Sequence, residues 1–107
     1  MKRGEVWTVS GGGFAGKPRP AVIVQDDRFD ASASITLCVF TTDDTEAPLF
    51  RLPVTPSESN GLRSVSRIMV DKITTVSKER IGERIGYLDD ADVTRLNRAV
   101  MVFIGLA

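Results

Sequence analysis

Arg19 is the residue best placed to do chemistry. It stands in Lys17-Pro18-Arg19-Pro20, between the glycine-rich Gly11-Gly12-Gly13-Phe14-Ala15-Gly16 and the apolar run Ala21-Val22-Ile23-Val24. A guanidinium presents five N–H donors in a planar fork that matches phosphate oxygens, and it stays charged at any working pH. The flanking prolines fix their own φ and push the residue before each toward extended backbone. A charged fork set where a glycine loop meets a strand points to phosphate chemistry. On that loop Phe14 can stack on a base and Lys17 can steer a phosphate, which makes both candidate nucleic-acid-binding residues.

Other charged or nucleophilic groups carry less. Gly11 to Gly16-Lys17 nearly matches a nucleotide-binding P-loop, but Pro18 stands where a magnesium-binding Ser or Thr should open a helix. Asp26, Asp27 and Asp30 do not fit a calcium loop, and Asp43-Asp44-Thr45-Glu46 reads as a solvated connection. Cys38 lies inside Ile35-Thr36-Leu37-Cys38-Val39-Phe40 and reads as a buried, inert thiol. Asp71 interrupts a hydrophobic stretch between Val70 and Ile73. A carboxylate so placed is normally paired, and structural pairing to a sheet arginine competes with a role at the site. Thr41 ends a strand, and its interest depends on whether it faces Arg19.

The composition sets bounds on the class of molecule. With 107 residues, 42% hydrophobic and 26% charged, the chain is one globular domain over 1–107. Fourteen basic and fourteen acidic residues give zero formal charge, which argues against a general nucleic-acid coat and leaves room for a local basic groove. There is no histidine, so imidazole acid–base catalysis is impossible and a Cys/His zinc site cannot be built. No cofactor is expected. One cysteine, no signal-peptide core behind Met1-Lys2-Arg3-Gly4 and no run of membrane-spanning length lead to an expected cytoplasmic location.

Strands are expected at Glu5–Val9, from Pro20 to about Gln25, and at Ile35–Phe40, with a short edge strand near Leu49–Val54 among three prolines. Asn60-Gly61 marks a turn. Ser66–Val70 and Lys72–Val76 follow, and Ile85-Gly86-Tyr87 adds a last short strand. Asp89-Asp90-Ala91-Asp92 starts a helix, with acids at the positive end of its dipole. Val93, Leu96, Val100 and Phe103 mark one face, and beyond Ala99 the helix is apolar all round, which points to a partner subunit or a deep core. The fold class is mainly β: a small antiparallel barrel or curled sheet with a C-terminal helix.

These motifs, in this order, resemble the MazF/PemK family of toxin endoribonucleases of type II toxin–antitoxin pairs. The resemblance runs from Lys2-Arg3-Gly4-Glu5-Val6-Trp7 through the Lys17-to-Asp27 stretch and Val39-Phe40-Thr41-Thr42. It continues through Met69-Val70-Asp71-Lys72-Ile73-Thr74-Thr75-Val76 and Arg80-Ile81-Gly82 to Arg84-Ile85-Gly86-Tyr87-Leu88. It implies an SH3-like/CcdB-like barrel, a cytoplasmic homodimer, an antitoxin partner and metal-independent cleavage of single-stranded RNA. The family's catalytic arginine falls on Arg19, its catalytic threonine on Thr41, and an aspartate implicated in some members on Asp71. The chain has Thr74 where many relatives carry an arginine and Met69 where some carry another, and it lacks a first-loop histidine that some have, which leaves the base preference and the proton-transfer partner open.

The implied chemistry suits these residue types. The RNA 2′-OH attacks the neighbouring phosphorus, giving a 2′,3′-cyclic phosphate and a 5′-OH, while the enzyme aligns the groups and stabilises developing charge. DNA, lacking the 2′-OH, is bound but not cut. A non-enzymatic toxin of the CcdB type, which poisons gyrase through a helix surface, is the alternative reading.

Overall fold

A computed structural model describes residues 1–11 and 17–107. Seven strands precede one helix: β1 (Glu5–Val9), β2 (Arg19–Ile23), β3 (Ser34–Thr41), β4 (Arg51–Val54), β5 (Ser66–Met69), β6 (Thr74–Ser77), β7 (Ile81–Tyr87) and α1 (Asp90–Phe103). The sheet order is β4-β5-β3-β2-β1-β7, and all pairings are antiparallel.

β3 organises the molecule. One edge pairs with β2, through Ala21↔Val39 to Ile23↔Leu37. The other edge is shared: β6 takes Ser34 to Leu37, and β5 takes Phe40 and Thr41. Between β5 and β6 the chain makes a single 3-10 turn at Val70–Lys72. Asp71 therefore sits in the break between two strands, as its interruption of the apolar run implied.

Strand alternation sends apolar residues to both faces of the sheet. On one face Val6, Val22, Cys38, Phe40, Ile68 and Val54 pack with Leu96 and Ala99 of α1. On the other, Val9, Ala21, Ile23, Ile35, Leu37, Val39 and Val76 form a second cluster, flanked by Trp7, Met69 and Ile81. Both clusters are buried, which leaves the sheet little freedom to change register.

Of the two forms expected, barrel or curled sheet, the structure shows the open, curled sheet. Among the described residues the end strands β4 and β7 are not paired with each other. The turn after β4 fills the gap, with Tyr87 N–H donating to Ser59 C=O at 2.8 Å. Asn60, 3% exposed, ties this turn together: its amide donates to Thr55 C=O, and its carbonyl oxygen accepts from Ser57 and Leu62 N–H. Gly61 has φ +69, and a Cβ there would lie 2.1 Å from Ile85 O. Only glycine allows so close an approach.

α1 begins where the acids implied, with Asp89 Oδ1 accepting Asp92 N–H at 2.8 Å. Its far end is less covered than its start. Phe103 packs on Phe50 with ring centroids 5.9 Å apart, yet Met101, Val102, Phe103, Ile104 and Leu106 are all exposed. Among the described residues no helix is long and apolar enough to cross a membrane.

Candidate active site

Arg19 is the first residue of β2 and Thr41 the last of β3. Observed pairing between these strands ends at Ala21↔Val39. Arg19 and Thr41 each lie two residues beyond that pair, at positions that an antiparallel register sets opposite each other. Both line one open cavity of about 570 Å³ at the end of the sheet. Arg19 is exposed, whereas Thr41 is only 9% exposed, and its Oγ1 accepts Asp43 N–H at 3.1 Å. That contact fixes the Thr41 hydroxyl while leaving its own proton available to an oxygen acceptor.

The opposite wall holds Leu62, Arg63 and Ser64, in the segment after the Asn60-Gly61 turn. Thr8 of β1 and Glu83 of β7 also line it. A cavity with two guanidinium groups, several hydroxyls and one carboxylate suits a phosphodiester better than a neutral apolar ligand.

The remaining sequence candidates fall elsewhere. Phe14 lies outside the described residues. Lys17 is exposed and precedes the first lining residue of its segment, Pro18. Asp71 does not line the cavity. It is clamped by Arg51, with Nε to Oδ1 at 2.6 Å and Nη2 to Oδ2 at 3.0 Å. Those hydrogen bonds outweigh partial burial and hold the Asp71 carboxyl below its usual range, while the same pairing raises Arg51. The sheet-arginine partner foreseen for Asp71 is thus Arg51 of β4. Cys38 is fully buried, and desolvation, aided by the Asp71 charge, pushes its thiol up to about 12. It is inert as a nucleophile at neutral pH.

Sequence reasoning missed Arg63 and Glu83. The turn before Arg63 was visible as Asn60-Gly61, but nothing local says which way the next residues face. Glu83 was missed because the last strand was expected only over Ile85-Gly86-Tyr87, which leaves position 83 outside it.

The family of PemK-like, MazF-like toxins of type II toxin–antitoxin systems matches residues 2–104. This chain belongs to that family. It is 48% identical over 108 residues to a probable endoribonuclease MazF of Mycolicibacterium smegmatis, covering 100% of this chain and 99% of that relative. Its fold is similar to an endoribonuclease solved with its cognate antitoxin from a mycobacterial species, with TM-score 0.84, 23% identity, and 100% and 97% of the two chains covered. A MazE–MazF complex from Deinococcus radiodurans gives TM-score 0.79 at 14% identity over 100% and 97%. The CcdB-type alternative finds no support, because relatives matching nearly the whole MazF/PemK chain bear the endoribonuclease name.

Proposed function

We propose that this MazF/PemK-family toxin is an endoribonuclease that cuts single-stranded RNA without a metal and arrests translation, with Arg19 and Thr41 as its catalytic residues. One observation supports the assignment of roles: both residues line one open cavity. Whole-length identity to a probable endoribonuclease MazF supports the activity itself.

In this reading the scissile phosphate enters between the strand ends. Arg19 donates two charge-assisted hydrogen bonds to its non-bridging oxygens. Thr41 Oγ1, already oriented by Asp43 N–H, donates to one of the same two oxygens. These donors are set before substrate arrives, so they stabilise the phosphorane's extra charge without rearranging. The 2′-OH supplies the nucleophile, and the products are a 2′,3′-cyclic phosphate and a 5′-OH. Phe14 and Lys17 would contact RNA on the loop side, and the RNA target places the protein in the cytoplasm.

A cognate antitoxin is the expected protein partner, as in the solved relatives. The exposed apolar end of α1 supports a homodimer. The decisive test is cleavage of a mixed-sequence single-stranded RNA in EDTA by wild type, Arg19→Ala and Thr41→Ala. Discrete fragments ending in cyclic phosphate, slowed on the order of 10²–10³ in each variant, are expected. Folded wild type that leaves the RNA intact refutes the activity, and unaffected variants refute the residue roles.

A further inference from the structure

Attack by a 2′-OH needs a proton acceptor, and neither Arg19 nor Thr41 is suited to be one. An arginine stays protonated at working pH, and an alcohol is no base there. The chain has no histidine, and the glycine loop Gly12–Gly16 contains no titratable side chain. Of the described residues lining the cavity, Glu83 alone bears a carboxylate; the other charged residues facing that space are Arg19 from β2 and Arg63 from the loop after β4. Asp43, two residues past Thr41, is turned instead to Thr45, whose N–H and hydroxyl both donate to its Oδ1.

The backbone around Glu83 is built to hold it there. Trp7 pairs with Arg84 and Val9 with Ile81, so Gly82 and Glu83 together oppose Thr8 alone. This is a β-bulge, which re-aims a strand side chain and recurs beside active sites. Thr8 Oγ1 accepts Glu83 N–H at 2.9 Å, and a Cβ at position 82 would lie 2.4 Å from that same oxygen. Glycine at 82 and a hydroxyl at 8 therefore lock the bulge. Among the described residues the Glu83 carboxylate has no hydrogen-bond or ion-pair partner, although its neighbour Arg84 is paired with Glu5. A fixed backbone carrying an unpaired anion into a cationic cavity calls for a role.

We propose that Glu83 is the general base of the cleavage reaction, a catalytic residue that takes the proton of the attacking 2′-OH. The assignment rests on the ribonuclease reading above. The 2′ oxygen bonds to phosphorus as its proton passes to the Glu83 carboxylate. The P–O5′ bond breaks, and the 5′ oxygen keeps the electron pair and takes a proton from water. The hydroxide so formed removes the proton from Glu83, and the enzyme is restored.

The test is the single-turnover cleavage rate across pH for wild type, Glu83→Gln, Glu83→Asp and Thr8→Val, with binding of an uncleavable 2′-deoxy analogue of the cleaved RNA measured in parallel. Positioned bases contribute on the order of 10²–10⁴ in rate. Glu83→Gln should therefore cut at least 100-fold more slowly while binding the analogue as wild type does. Its rate should also lose the fall that wild type shows on acidification. Glu83→Asp should recover part of the rate together with that pH dependence, and Thr8→Val should slow cleavage while retaining it. A Glu83→Gln enzyme that cuts within threefold of wild type overturns the proposal. So does one that cuts as fast at a different sequence, since the carboxylate would then be reading a base. Wild type that cuts nothing refutes the ribonuclease reading instead.

Discussion

Replacing Asp71 with Asn separates a structural role from a chemical one. The Asp71–Arg51 pair is bidentate, with its side chains 20% and 14% exposed, and it closes the break between β5 and β6 onto β4. Exposed ion pairs contribute about 0.2–1 kcal/mol, whereas breaking a buried one costs about 3–5 kcal/mol. At this intermediate exposure Asp71→Asn should cost about 1–3 kcal/mol, or roughly 4–12 °C in Tm for a domain of this size. The pH dependence has a definite sign. Folding lowers the Asp71 pKa, so the stabilisation is fully present above the unfolded value, near about pH 4, and is lost as pH falls through the lower folded value. The Tm gap between wild type and Asp71→Asn should hold steady from pH 5 to 8 and close below about pH 4. Calorimetric melting measures this, and RNA cleavage at 25 °C should stay within about threefold of wild type, far from the 10²-fold scale of a lost catalytic group. A variant that melts like wild type but loses cleavage a hundredfold would refute the reasoning and return Asp71 to the chemistry.

Three further outcomes are expected. Gly61→Ala should destabilise the fold by about 3 kcal/mol or more, read by urea titration, because φ +69 and the 2.1 Å approach to Ile85 O leave no room for a Cβ. Cys38, with its thiol pushed up to about 12, should resist alkylation by iodoacetamide at pH 8 in the native protein and react fully in denaturant. Ile104→Lys, at a residue 52% exposed just past the apolar end of α1, should keep the folded circular-dichroism spectrum of wild type yet lower the sedimenting mass from twice 11.7 kDa toward 11.7 kDa.

What the sequence disclosed was what neighbouring residues decide. Glu5–Val9 is read correctly because its strand formers stand together, and the helix start is read because Asp89 caps its own neighbour. Arg19 announces itself through flanking prolines and a glycine loop. Asp71 marks a break in an apolar run, but its partner Arg51 lies twenty residues upstream and no local pattern names it. β7 was shortened to Ile85–Tyr87 because Gly82 disfavours a strand in isolation. In the fold, pairing with β1 overrides that preference and turns the glycine into half of a bulge. Thr41 was named only through the family resemblance, and Glu83 was missed. Each becomes interesting only through a strand register, which depends on contacts far apart in sequence.

The same registers explain why the site can be rigid and open at once. Pairing between β2 and β3 stops at Ala21↔Val39, one position short of the buried Phe40 and two short of Arg19 and Thr41. The strand ends beyond that point border solvent, which makes room for a phosphodiester. Their roots remain anchored, because Ala21, Val22, Cys38 and Val39 sit in the two packed clusters. A guanidinium and a hydroxyl carried this way give up little freedom when substrate binds, so more of the binding free energy is left to favour the transition state. Glu83 gains the same advantage by another route, from a bulge locked by Thr8 rather than from a strand end. A proton acceptor and two phosphate donors are thus fixed by the sheet itself.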